Sequence, residues 1–131
     1  MRRAILAADV PPNGPGRHAL YSWRTILSLR VLNELHVRFG VEVGGWAHSI
    51  RTLRDILEPR SFHSLWGAAA LFRGREDETA VLEIRNIPTD RGRIVLPLDP
   101  HLEIVAYGLK FESGVPQLQL FPATLVAGGR K

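Results

Sequence analysis

Two amphipathic helices are predicted in succession in the first half of the chain. In the first, the apolar residues that recur three or four positions apart are Leu27, Val31, Leu32, Leu35 and Phe39. Ser22 precedes this run as a natural N-cap and Gly40 follows it as a C-cap glycine, so the first helix is predicted over 22–39. In the second run, over 46–58, the positions predicted to face the core are Trp46, Ile50, Leu53 and Leu57. Pro59 ends this second helix, because helical backbone is disfavoured immediately before a proline.

Short segments with strand character follow the second helix. Residues 65–72, 79–87 and 93–98 are apolar or alternate in polarity, and charged turn sequences separate them. Asp99 and Pro100 then stand at the N-cap and first helical position of a short third helix. The whole pattern predicts an α+β fold: two successive amphipathic helices, a small antiparallel sheet, a short third helix and an extended C-terminal segment.

The length of 131 residues suits a single domain with one core. We expect residues 1–114 to form that globular domain and residues 115–131 to form a C-terminal docking segment and tail. No apolar run approaches the ~18 residues needed to cross a bilayer. Asp9 interrupts the short apolar patch that follows the first arginines, which makes a poor secretory signal. A cytoplasmic protein with no membrane partner is therefore expected.

The composition argues against several kinds of catalytic and metal chemistry. The chain contains no cysteine, and its five histidines show neither H-x-H nor H-E-x-x-H spacing, so no metal or other cofactor is expected. Neither a phosphate-binding loop nor a G-x-S-x-G motif is present. The nearest candidate for catalysis is His63, which lies between Ser61 and Ser64 and is also typical of a turn. We expect no enzyme, and a small ribonuclease that uses His63 is the minor alternative.

Positive charge is concentrated in the first half of the sequence. Residues 1–60 contain nine arginines against five acidic residues, which gives +4, whereas residues 61–131 contain eight basic and eight acidic residues and have no net charge. The planar arginine side chain suits phosphate better than the ammonium group of lysine does. We therefore expect Arg17, Arg24 and Arg30 to contact a nucleic-acid backbone. The alternative is that such arginines form the solvated side of a core helix.

The sequence RHALYSWRTILSLRVLNELHVRFGVEVGGWAHSIRTLRDIL, residues 17–57, resembles the second half of the MerR family of DNA-binding regulators. In that family a wing ending in arginine and tyrosine leads into a helix rich in arginine and leucine, then a glycine and a further helix. The matching positions are Arg17, Tyr21, Leu29, Leu32, Leu35 and Gly40. The family's helix-turn-helix precedes the wing, but only sixteen residues precede Arg17 here, so we expect this sequence to lack the recognition helix. The resemblance implies a basic hairpin that contacts the DNA backbone, and a homodimer through the helix over 22–39.

The segment VPQLQLFP, residues 115–122, allows two interpretations. Its alternation of glutamine and leucine is typical of a half-buried strand. The five residues QLQLF are also similar to the bacterial sliding-clamp-binding motif Q-L-x-L-F. This resemblance assigns clamp contacts to Gln117, Leu118, Leu120 and Phe121. The flanking Pro116 and Pro122 disfavour a central strand and stiffen an extended peptide.

These observations lead to three functional hypotheses. The first is a DNA-replication-associated protein that binds the bacterial sliding clamp through QLQLF. Such a protein blocks or regulates access of the polymerase to the clamp, either as a toxin-like inhibitor or as an accessory factor. The second is a MerR-like transcriptional regulator that contacts the DNA backbone, and the third is the small ribonuclease toxin.

Overall fold

The described part of the chain contains three helices and five short strands. A computed structural model describes residues 6–7, 20–74, 78–90, 92–111 and 120–122. In chain order the elements are β1 (Leu20–Ser22), α1 (Trp23–Phe39), α2 (Ala47–Leu57), β2 (Ala68–Phe72), β3 (Thr79–Glu83), β4 (Ile94–Pro97), α3 (Asp99–Phe111) and β5 (Leu120–Pro122). The predicted α+β arrangement of two successive helices, a small antiparallel sheet and a short third helix is confirmed.

Helix α1 begins and ends at the residues that its capping pattern predicts. The Ser22 hydroxyl accepts a hydrogen bond from the Thr25 backbone N–H at 3.3 Å, which satisfies one of the free donors of the first turn. Gly40 adopts a left-handed φ of 69°, and its N–H donates to the His36 carbonyl at 3.1 Å. Glycine meets no Cβ clash in this conformation, so it reverses the chain at little cost.

The three middle strands form one antiparallel sheet in the order β3-β2-β4. Strand β2 is central, and Ala70 pairs with Val81 of β3 on one side and with Leu96 of β4 on the other. Every residue of β2 is buried, as the uninterrupted apolar sequence of this segment indicates. Helix α2 lies against β3, and the Arg60 side chain donates to the Val81 carbonyl at 3.3 Å.

Both the helices and the sheet contribute to a single hydrophobic core. Its largest fully buried side chains are Ile26, Leu27, Leu35, Ile50, Leu53, Leu57, Leu65, Phe72, Leu96, Leu98 and Leu102. The predicted inward positions of α2 are confirmed, as are those of α1 except for Phe39. Phe39 is 49% exposed because it is the last residue of α1, where the chain reverses at Gly40 and the core lies along the earlier turns of the helix.

Replacing Leu35 by alanine is expected to cost about 2–5 kcal/mol of unfolding free energy, because it removes a fully buried side chain and leaves a cavity. Val37, which lies on the same helix but is exposed, is the matched control. Val37→Ala is expected to change the unfolding free energy by about 0.5 kcal/mol or less. Urea unfolding measures the free-energy change of each variant. Equal changes would show that α1 does not turn Leu35 toward the core.

Candidate functional site

The C-terminal half of the QLQLF motif forms strand β5, which pairs antiparallel with β1. Leu120 lies opposite Ser22, and Phe121 lies opposite Tyr21. Gln117 and Leu118, the other two predicted clamp contacts, lie outside the described residues. The backbone at the end of the motif is therefore extended, as both the strand and the docking interpretations require.

The β1–β5 ladder is joined directly to the helical core. Ser22 is the last residue of β1 and also the N-cap of α1, so the strand and the helix share one residue. The next residue, Trp23, is buried and packs edge-on against the Phe62 ring at 5.2 Å between centroids. The position of the motif's last two residues is consequently set by the start of α1.

Arg24, predicted to contact phosphate, binds the carboxyl end of α2 and the residues that follow it. Its Nε donates to the Leu57 carbonyl at 2.8 Å and its Nη2 donates to the Arg60 carbonyl at 2.6 Å. The guanidinium also lies 4.4 Å from the centre of the Trp23 ring. A cation at a helix C-terminus satisfies carbonyls that the helix leaves free. This side chain therefore holds α2 against α1, and a phosphate would have to compete with those contacts.

Arg30 is buried between α1 and α3. It is only 7% exposed, and its Nε donates to Nδ1 of His101 at 3.3 Å. Burial lowers the pKa of Arg30, and the nearby Glu34 carboxylate opposes that effect. This burial argues against a phosphate contact by Arg30, and Arg17 lies outside the described residues. DNA binding by the N-terminal half stays a prediction.

His101 is the centre of a polar network that joins α3 to α1. Its Nδ1 must accept, because the Nε–H of Arg30 can only donate, so the ring proton of the neutral imidazole is on Nε2. Nε2 donates to Glu34 Oε1 at 2.6 Å, and Glu34 Oε2 lies 3.5 Å from Nε of Arg38. Since both ring nitrogens are engaged, His101 orients two helices rather than presenting a free base.

Burial lowers the pKa of His101, and this is the largest influence on it. The hydrogen bond and the charge of Glu34 act in the opposite direction, while the charges of Arg30 and Arg38 add to the lowering. This network was not predicted from the sequence, since His101 lies 67 positions from Glu34 and 71 from Arg30. The i,i+4 spacing of Glu34 and Arg38 in α1 marks only their own pair, and nothing in the spacing of α3 marks His101 as their partner.

His63, the candidate of the ribonuclease hypothesis, lies exposed in a 3₁₀ turn over His63–Leu65. Its ring meets the Phe62 ring edge-on at 6.4 Å between centroids. Within the ranges that the structure describes, no group of three or more His, Asp or Glu side chains is placed to hold a metal ion.

A second surface feature, which the sequence did not indicate, is an open cleft of about 460 Å³. It is lined by Trp66, Gly67, Glu83, Ile84 and Arg85. The antiparallel pairing of β2 with β3 brings these two short segments together, and the Ile84 N–H donates to the Gly67 carbonyl at 2.9 Å. Trp66 and Ile84 both expose large apolar side chains here.

Comparison with known proteins returned no relative: no family model matches the sequence, and neither a curated protein nor a solved structure matches it. Among the helices of the described ranges, none is both long and apolar enough to span a bilayer.

Acid is expected to destabilise the protein through His101. Its pKa is depressed in the folded state, so the unfolded chain takes up a proton below about pH 6.5 while the folded chain resists it. The contribution of neutral His101 to the unfolding free energy is therefore complete above about pH 6.5, and it is lost as the pH falls below that value. Urea unfolding at pH 7.5 and 5.5 measures the difference, with a limiting slope of about 1.4 kcal/mol per pH unit for one proton.

Urea unfolding of His101→Gln at the same two pH values is expected to show a smaller pH dependence of the unfolding free energy. The glutamine amide can still donate to Glu34, so the hydrogen bond is kept while the titrating group is removed. His63→Gln is the control, because His63 is exposed, and it should keep the wild-type slope. An unchanged slope in His101→Gln would assign the pH dependence to another group.

Proposed function

We propose that this chain is a bacterial protein that docks on the DNA sliding clamp through QLQLF, residues 117–121. The observation that carries the proposal is the sequence itself, in which four specified positions of Q-L-x-L-F are matched between two prolines. The extended backbone of Leu120–Pro122 supports it, because a linear motif binds a pocket as an extended peptide.

Three of the four matched residues have a clear chemical role in docking. The Gln117 amide offers hydrogen bonds to a small polar subsite, and Leu120 and Phe121 supply apolar surface for a pocket. Full burial of each apolar side chain is worth about 1.5–3 kcal/mol before ordering costs are subtracted. Part of that ordering cost is already met, because pairing with β1 holds the end of the motif extended in the free protein.

The pairing of β5 with β1 is also what a purely structural strand would show. In the part of the chain that the structure describes, β1 is the only strand that pairs with β5. A strand of three residues in a two-stranded ladder contributes little to a core by itself, so a role in binding accounts for the matched sequence better than a role in folding. The two roles differ in what the loss of a side chain changes: affinity for the clamp, or stability.

Occupation of the clamp pocket by this chain would deny it to the polymerase. An inhibitor of the toxin kind and an accessory factor that regulates access both follow from the same contact, and neither requires catalysis. Because the bacterial clamp acts on chromosomal DNA, the proposal places the chain in the cytoplasm. The MerR-like regulator ranks second, since Arg24 and Arg30 are engaged inside the protein. The ribonuclease ranks third.

Calorimetric titration with purified sliding clamp tests the proposal. The intact chain is expected to bind with a dissociation constant of tens of micromolar or tighter, about −6 to −7 kcal/mol. Gln117→Ala is expected to abolish detectable binding because it removes the polar anchor. Gln119→Ala is the matched control, since it changes the same residue type at the unspecified position of the motif. It should bind like the wild type, and both variants should keep the wild-type thermal midpoint.

Three results would contradict clamp docking. They are the absence of heat from the intact chain, an equal loss of binding in Gln117→Ala and Gln119→Ala, and unfolding of the double variant Leu120→Ala, Phe121→Ala. The last result would make β5 a structural strand and move the MerR-like regulator to first place. Clamp-dependent primer extension with added protein then separates an inhibitor, which reduces synthesis, from an accessory factor.

A further inference from the structure

Of the three tryptophans, Trp66 alone is substantially exposed. Trp23 and Trp46 are buried, whereas Trp66 is 39% exposed. It is nevertheless held in place, because its ring packs edge-on against Phe62 at 6.1 Å between centroids. The following residue, Gly67, is fixed as well: its N–H donates to Asp99 Oδ1 at 2.9 Å. The indole is thus an ordered aromatic surface that faces solvent.

The opposite wall of the cleft is equally well anchored. It is formed by the end of β3 and the 3₁₀ turn Ile84–Asn86, which the Ala68–Glu83 pair and the Ile84 N–H bond to Gly67 attach to β2. Its chemistry is mixed. Ile84 contributes an exposed apolar side chain, Glu83 a carboxylate, and Arg85 a guanidinium on a side chain that is 81% exposed.

The carboxylate and the guanidinium of the cleft are already oriented. Arg85 Nε donates to Glu83 Oε1 at 2.9 Å, and Asn86 Nδ2 donates to the same oxygen at 3.3 Å. An exposed ion pair of this kind adds little to stability. The pair nevertheless places a carboxylate acceptor and a cation beside an aromatic ring, within reach of one ligand.

We propose that the cleft formed by Trp66, Gly67, Glu83, Ile84 and Arg85 binds an unpaired base of single-stranded nucleic acid. A base has a π face that stacks on an indole, and such stacking tolerates any base. Base amino groups donate to a carboxylate such as that of Glu83, and the strand's phosphate pairs with the guanidinium of Arg85 at the rim. The Arg85 side chain, 81% exposed, supplies the local positive charge that a phosphate group contacts.

Other occupants suit these walls less well. An apolar peptide side chain would cover Trp66 and Ile84, but it would also desolvate the Glu83 carboxylate and offer no donor to its second oxygen, since Arg85 and Asn86 both donate to Oε1. Duplex DNA keeps its bases stacked on one another, so no π face is available to the indole. The inference is independent of clamp docking, since it uses none of the residues 117–121 and its test contains no clamp.

Two measurements with the full chain at low salt test the inference. In the first, an unlabelled oligodeoxycytidylate of about 12 nucleotides is titrated in and tryptophan fluorescence is followed. Saturable quenching is expected, and because only Trp66 is exposed, Trp66→Phe should remove most of it. In the second, anisotropy of the labelled oligonucleotide gives affinities. Trp66→Ala should weaken binding about tenfold, whereas Trp66→Phe, which keeps a ring for stacking, should stay within about threefold.

Matched strands and variants separate base recognition from charge attraction. A strand of abasic residues keeps the phosphates but offers nothing to stack, and it should bind about tenfold more weakly. Arg85→Ala should reduce affinity more than Arg38→Ala, because Arg38 is a similarly exposed arginine paired with a glutamate but lies outside the cleft. Unchanged thermal midpoints would exclude loss of folding as the cause.

Several outcomes would overturn the inference. Equal affinity for the abasic strand or for a duplex would show binding to the backbone alone. Equal effects of Arg85→Ala and Arg38→Ala would show general charge attraction. Unaltered oligonucleotide affinity in Trp66→Ala would show that the strand binds elsewhere on the protein. Fluorescence quenching by a short apolar peptide but not by the oligonucleotide would show that the cleft binds peptides.

Discussion

The described structure depends on the need to pair every polar group that α1 (Trp23–Phe39) buries. Arg24 binds the last carbonyl of α2, Arg54 of α2 donates from Nε to the Thr25 hydroxyl at 2.8 Å, and Arg30 donates to His101 of α3. Unpaired polar groups in a core cost several kcal/mol. Within the described ranges no buried side-chain nitrogen or oxygen lacks a partner. The apolar core supplies cohesion, and these bonds determine how α2 and α3 lie on α1.

This use of arginine changes what the charge distribution indicates. The excess of positive charge in residues 1–60 favours a polyanionic partner when read from the sequence. In the structure, Arg24 donates hydrogen bonds to the Leu57 and Arg60 carbonyls, and Arg30 donates one to His101. A formal charge count therefore overstates the cationic groups available for binding, because it cannot distinguish a structural guanidinium from an exposed one.

Both proposed binding regions involve paired strands rather than the helices. The last two residues of QLQLF lie in β5, which pairs with β1, and the cleft beside Trp66 lies where β2 and β3 separate. Strand pairing holds Leu120–Pro122 extended and anchors the two walls of the cleft, which lowers the entropy lost on binding. A chain with both contacts would gain affinity for a clamp loaded near single-stranded DNA, because the first contact raises the effective concentration for the second.

The sequence by itself determined the features that depend on neighbouring residues. Ser22, Gly40 and Pro59 delimit the helices because caps and prolines act within one turn, and apolar spacing identified buried positions such as Leu35. Only the tertiary structure decided the contacts between distant segments: the burial of Arg30, the His101 network, the Trp66 cleft and the β1–β5 ladder. A periodic pattern assigns polar residues to the surface. Arg30 departs from that assignment because its partner, 71 residues away, offsets the cost of burial only once the chain has folded.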